Sequence, residues 1–185
     1  MWALLLALAC GPRTHLRSLD TPTAADFDDW LAAEPSRAQA FTDFVALLHS
    51  EKLDRVVPPA HLWRQGTDWR TVHHPPYAAP PPEMWAAMLP TLRLLRDDVI
   101  PRVGPVVVVS GYRTAEFNAA AGGAPGSRHR NFEAVDVVPR LPWGRARLHR
   151  RLLAWWAAEG PALRLGLGLY AGTRFHVDAW KHRRW

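Results

Sequence analysis

A single carboxylate limits what this chain can fold into more than any other residue. Asp136 sits in the middle of Ala134-Val135-Asp136-Val137-Val138, an otherwise apolar run with the composition of a buried strand. A charge buried there without a partner would cost several kcal/mol, so the fold has to bring a cation or a metal ion to it. Seven residues upstream, His129 lies in Ser127-Arg128-His129, delivered by the glycine-rich loop Gly122-Gly123-Ala124-Pro125-Gly126. A second short strand near the C-terminus, Arg174-Phe175-His176-Val177-Asp178, carries another imidazole. Alternate residues of a strand share a face, so His176 and Asp178 point the same way, and Asp136 shares its face with the small Ala134. Two histidines and an aspartate make a three-ligand set of the kind zinc uses when its fourth position stays open to water.

The elements around these residues point to an α+β fold. Val106–Ser110, bounded by Gly104-Pro105 and Gly111, reads as a strand buried on both faces, and Ala134–Val138 as a second. Leu165–Tyr170 and Arg174–Trp180 read as a hairpin around Ala171-Gly172-Thr173. Helical spacing runs over Ala24–Leu31, over Ala38–Leu53 and, with Pro90 as a local disturbance, over Met84–Asp98. Thr114 caps a further helix to Ala121, and Arg145–Ala158 is amphipathic with Leu148, Leu152, Trp155 and Trp156 inward. Val56–Arg70 reads as irregular and Thr71–Pro82 as a proline-rich connector that is neither helix nor central strand. His73 and His74 within it are adjacent and cannot easily share one ion, so they are read as surface or packing residues. The expected organisation is a signal over 1–10, a helical and proline-rich region over 11–82, and a site-bearing domain over 83–185. Nothing in the sequence specifies an oligomeric state.

Charge divides unevenly. Residues 111–185 hold 13 Lys or Arg against 5 Asp or Glu, while residues 1–110 hold 10 against 12. The half with the His/Asp constellation is therefore the basic half, which favours an anionic partner. Nucleic acid is not expected, because the densest basic run, Arg145–Arg151, falls on the outer face of an amphipathic helix. The lone cysteine, Cys10, excludes an internal disulfide and a cysteine-rich metal site. It follows the apolar Met1–Ala9, which has the length of a signal-peptide core and ends like a lipobox. The expectation is export to the cell envelope or periplasm with a lipid anchor on Cys10.

Taken in order, Ser110-Gly111-Tyr112-Arg113, the Gly122–Pro125 loop, the His129…Asp136 pair and Phe175-His176-Val177-Asp178 resemble the zinc D-Ala-D-Ala carboxypeptidases, the M15 peptidases of bacterial cell walls. The resemblance covers roughly residues 83–185. It implies a hedgehog/D-Ala-D-Ala peptidase-like fold, a small, mostly antiparallel sheet carrying the metal with helices packed behind it. It also implies Zn2+ held by His129, Asp136 and His176, and peptidoglycan stem peptides as substrate. Arg113 would hold a substrate carboxylate or the developing oxyanion, with Ser127 nearby in the ligand loop. The chain departs from the family pattern at two points. Phe132 stands where the family has glycine, and Thr173 stands where many members carry the carboxylate that accepts a proton from water. Asp178 is the expected substitute for that base, or else a residue that only orients His176. Glu133 should point away from Asp136. The competing reading is a zinc-containing wall-binding module that has lost hydrolysis.

Overall fold

The computed structural model describes residues 20–185, so the signal and lipid-anchor expectations at 1–10 and Cys10 lie outside the described residues. No helix among those described is long and apolar enough to cross a membrane. The strands are β1 (Val106–Ser110), β2 (Ala134–Pro139), β3 (Gly166–Leu169), β4 (Phe175–Asp178) and the short β5 (Arg183–Arg184). They form one sheet in the order β1-β2-β4-β3-β5, antiparallel except where β5 runs parallel to β3. The α+β expectation holds, including both expected strands and the hairpin. β5 was not expected: two arginines carry no apolar alternation by which to read it.

Register converts the sequence pattern into a site. Asp136 faces Ser110 on one side and His176 on the other, and His176 in turn faces Gly168. Two residues along, Asp178 lies between Ala134 and Gly166. One face of the sheet therefore carries two neighbouring rows, Ser110-Asp136-His176-Gly168 and Ala134-Asp178-Gly166, in which the charged and imidazole groups are flanked by residues with almost no side chain. The opposite face, with Val135, Val137, Leu167, Phe175 and Val177, is buried in the hydrophobic core.

That core is continuous with residues from the first third of the chain. Helices α1 (Ala24–Ala32) and α2 (Pro35–Ser50) contribute Phe27, Phe44 and Leu48 to it, beside Trp63, Tyr77 and Phe132. Thr23 and Asp26 close a capping box at the start of α1, a device worth about 1 kcal/mol. α2 begins earlier than its apolar spacing suggests because Pro35 occupies the first turn, where a missing N–H costs nothing. The region expected to be one helix over 84–98 is longer and conformationally mixed. A 3-10 turn (Pro82–Met88) leads into α-helix (Leu89–Leu94), a π-turn (Leu95–Val99) and a last α turn (Ile100–Val103).

The segment expected to be irregular, around Arg64, has a defined role. After a single helical turn at Pro59–Leu62, the chain runs beside the end of β1: Gly111 N–H bonds to Arg64 O (2.8 Å) and Tyr112 N–H to Leu62 O (2.9 Å). A Cβ on Gly111 would sit 2.0 Å from Leu62 O, so only glycine allows this approach. The buried Arg64 guanidinium ties the layers together, bonding Val108 O and Pro22 O, each at 2.9 Å.

Phe132 explains its own departure from the family pattern. It ends the 3-10 turn that carries His129 and adopts a left-handed backbone (φ 56°), the conformation a glycine takes without strain. A phenylalanine there costs on the order of 1–2 kcal/mol. Its ring is fully buried against Phe44 and Tyr112, with ring centres 5.7 and 6.0 Å away, and such burial typically contributes about 3–5 kcal/mol. Packing outweighs strain. Phe132→Gly should therefore lower stability by roughly 1–4 kcal/mol in denaturant titration; an increase would mean that the backbone dominates.

Candidate metal centre

Three elements converge on one point. The 3-10 turn Arg128–Asn131 carries His129, β2 carries Asp136 and β4 carries His176. His129 Nε2 lies 3.0 Å from His176 Nδ1 and 3.2 Å from Asp136 Oδ1, and His176 Nδ1 is 3.0 Å from the same oxygen. All three side chains are buried.

The outer faces of the imidazoles decide which nitrogens are free to ligate. His129 Nδ1 is 2.7 Å from the carbonyl of Gly111, which can only accept, so Nδ1 holds the proton and Nε2 presents a lone pair. His176 Nε2 is 3.0 Å from Asp178 Oδ2 and donates to it, which leaves Nδ1 facing inward. Two inward imidazole nitrogens and a carboxylate oxygen thus converge. A tetrahedral ion with bonds of about 2.0–2.1 Å would set its donors about 3.3 Å apart, close to these separations. The donor set fits a divalent transition metal with one position open, and the carbonyl and carboxylate behind the rings are the usual means of fixing ligand orientation.

Burial pushes the His129 imidazole down to about 4, helped by the nearby Arg113 charge. Burial opposes charge on His176 as well, but the carboxylates of Asp136 and Asp178 reverse the effect and raise it above the ordinary histidine range. Burial likewise works against the Asp136 charge, yet the two imidazoles and Arg113 hold it well below the usual carboxylate range. Above pH 4, His129 is ready to ligate, whereas His176 must first give up a proton from the nitrogen that ligates. Metal affinity should therefore rise with pH through neutrality, and binding should release a proton, detectable as buffer-dependent heat in calorimetry. A flat affinity between pH 5.5 and 8 would contradict this.

Each residue anticipated from the sequence has a definite place. Arg113 donates through Nη2 to Asp136 Oδ2 (2.8 Å) and through Nε to Ser110 Oγ (2.9 Å) and Gln65 O (3.0 Å), so it neutralises the carboxylate of the cluster. Ser127 starts the His129 turn and borders the cleft, and its side chain makes no hydrogen bond among the described residues. Asp178 is fully buried on the far side of His176, held by both terminal nitrogens of Arg183 (3.1 and 2.9 Å) and by Trp180 N–H (3.0 Å). It does not border the cleft. Glu133 points elsewhere, pairing with Arg128 at 3.0 Å.

The cluster opens into a cleft of about 490 Å³, whose walls include several residues not singled out from the sequence. Tyr170 places its hydroxyl 3.3 Å from Asp136 Oδ1, with its pKa raised by burial, and next by the Asp136 charge, so that it stays a neutral donor. The Trp185 indole lies 4.9 Å from the His176 ring, over Gly168, where a Cβ would come within 2.8 Å of it. Asp68 and Arg174 complete this part of the rim. Gln65 is hidden below, its carbonyl holding Ser110 and Arg113 and its side-chain oxygen accepting from Thr114 N–H (3.0 Å). Tyr170 and Arg174 were readable by counting in steps of two along the hairpin; Gln65, Asp68 and Trp185 leave no such signal.

A family model described as Peptidase M15 matches residues 61–153, half of the chain, a span that includes Arg113, His129 and Asp136 and ends before His176. Comparison with curated proteins and with solved structures returns no match.

Proposed function

Because the chain belongs to the peptidase M15 family, we propose that it is a zinc-dependent peptidase acting on peptidoglycan stem peptides, as a D,D-carboxypeptidase or a cross-link endopeptidase. The observation that carries this reading is the convergence of His129, Asp136 and His176 at the floor of a cleft large enough for a short peptide. Zinc held by these three would act as a Lewis acid, polarising a scissile carbonyl and acidifying a water.

The remaining roles fall to the chain's own residues. Arg113 holds Asp136 in its ionised, ligating state and Asp178 keeps His176 in the ligating tautomer, so both are positioning residues. Tyr170, a neutral hydroxyl at the cluster, is suited to donate a hydrogen bond to an oxygen developing negative charge. Proton acceptance is assigned to Asp68, the only carboxylate besides Asp136 that borders the cleft among the described residues; it makes no side-chain hydrogen bond there. Action on wall peptides would also require the envelope localisation expected from residues 1–10.

One feature favours the second reading, a zinc-containing wall-binding module without turnover. Thr173 stands where the resemblance places the base carried by many M15 peptidases, and Asp178 is locked behind His176. Metal analysis of the purified protein, followed by hydrolysis of a D-Ala-D-Ala-ended peptide and of muropeptides, separates the two. About one zinc per chain with amine release that falls sharply in Asp68→Asn supports the peptidase. Zinc without turnover, but with retained binding to wall polymer, supports the module. A chain that holds no zinc overturns both.

A further inference from the structure

The rim of the cleft carries four arginines, and three are already committed. Arg113 is paired with Asp136 at 2.8 Å, Arg128 with Glu133 at 3.0 Å and Arg183 with Asp178 at 2.9 Å. Arg174 has no carboxylate within ion-pair distance among the described residues. Neutral groups hold it instead: its guanidinium lies over the Tyr170 ring, 4.5 Å from the centroid, and Nη1 reaches Thr67 Oγ1 at 3.4 Å. Asp68, next to Thr67, makes no ion pair with it.

Its position follows from strand geometry. Arg174, His176 and Asp178 are alternate residues at and beside β4, so all three lie on one face, about 7 Å apart per step at the backbone. Across the hairpin, Tyr170 N–H bonds to Arg174 O at 3.4 Å. The same strand therefore carries the carboxylate that orients a ligand, the ligand itself and, one step further along, a pre-positioned cation with no partner charge. An arginine held by an aromatic face and a hydroxyl keeps its fork for an incoming planar anion.

We propose that Arg174 is the carboxylate anchor of the substrate site, reading the free C-terminal carboxylate of a peptide laid across the metal centre. This rests on the peptidase reading. It moves the anchoring role away from Arg113, whose charge is spent on Asp136, and it specifies a chain end as substrate.

The test is calorimetric binding of two blocked dipeptides to the metal-loaded protein, one ending in a D-Ala carboxylate and the other in the carboxamide, alongside steady-state kinetics on the carboxylate form. Wild type should prefer the carboxylate. Arg174→Gln should weaken that form roughly 10- to 100-fold and leave the amide unchanged. The loss should appear in KM and not in kcat, with metal content intact. Arg174→Lys, which keeps charge but loses the fork, should fall in between. An Arg174→Gln protein that keeps the wild-type preference, or loses both ligands equally, overturns the anchor while leaving the peptidase standing. A wild type that holds metal yet neither binds nor cleaves either peptide overturns both.

Discussion

His129→Ala should remove metal binding and hydrolysis together. The residue supplies one of three inward donors, and its ring is held by the Gly111 carbonyl so that Nε2 alone faces the cluster. Its nearest neighbours among the described residues do not offer a substitute donor: Arg113 is engaged with Asp136 and Tyr170 is held as a neutral hydroxyl. Partners beyond the ligands typically change metal affinity by roughly 10–100-fold, so loss of a ligand should exceed that range. Metal content near zero after dialysis, with circular dichroism unchanged, is the expected result. A mutant that retains one equivalent of metal would remove His129 from the ligand set.

Gly111→Ala should be strongly destabilising. The new methyl would lie 2.0 Å from the Leu62 carbonyl oxygen and 2.7 Å from its carbon, and these are backbone atoms that cannot swing aside. Relief requires separating the 62–65 segment from β1, which breaks the hydrogen bonds from Gly111 and Tyr112. The same movement displaces Gln65, and with it Arg113, and shifts the carbonyl that orients His129. Overpacking usually costs about 1–3 kcal/mol, and a backbone collision belongs at or above the top of that range. A fall in Tm of roughly 6–12 °C or more is expected for a domain of this size, together with weaker metal binding. An unchanged Tm would show that the two segments separate at little cost.

Much of the centre was legible because its signals are local. Asp136 in an apolar run demands a partner, and His129, seven residues ahead on a glycine-rich loop, is near enough in sequence to be one. His176 and Asp178 follow from strand alternation. The same alternation read backwards reaches Arg174, and read along β3 it reaches Gly166, Gly168 and Tyr170; the sequence contained these, but nothing in their types marked them. Gln65 and Asp68 were illegible for a different reason. Their importance comes from a segment without periodicity, held against β1 by backbone bonds that leave no side-chain pattern within the segment itself. The role expected of Asp178 depended on which side of His176 faces the cluster, and a face-sharing rule cannot distinguish the two sides of a ring.

The sheet order has a consequence for the timing of assembly. β4 is the central strand, yet it is completed after β1, β2 and β3, and His176 lies 47 residues after His129 and 40 after Asp136. A growing chain that has already exposed two members of the cluster still lacks the third until that strand slots between its neighbours. A metal held by all three would therefore lock a nearly finished sheet. Its stabilising effect should fall mainly on the unfolding rate and hardly on the folding rate, so loading with metal would act as a latch on the native state.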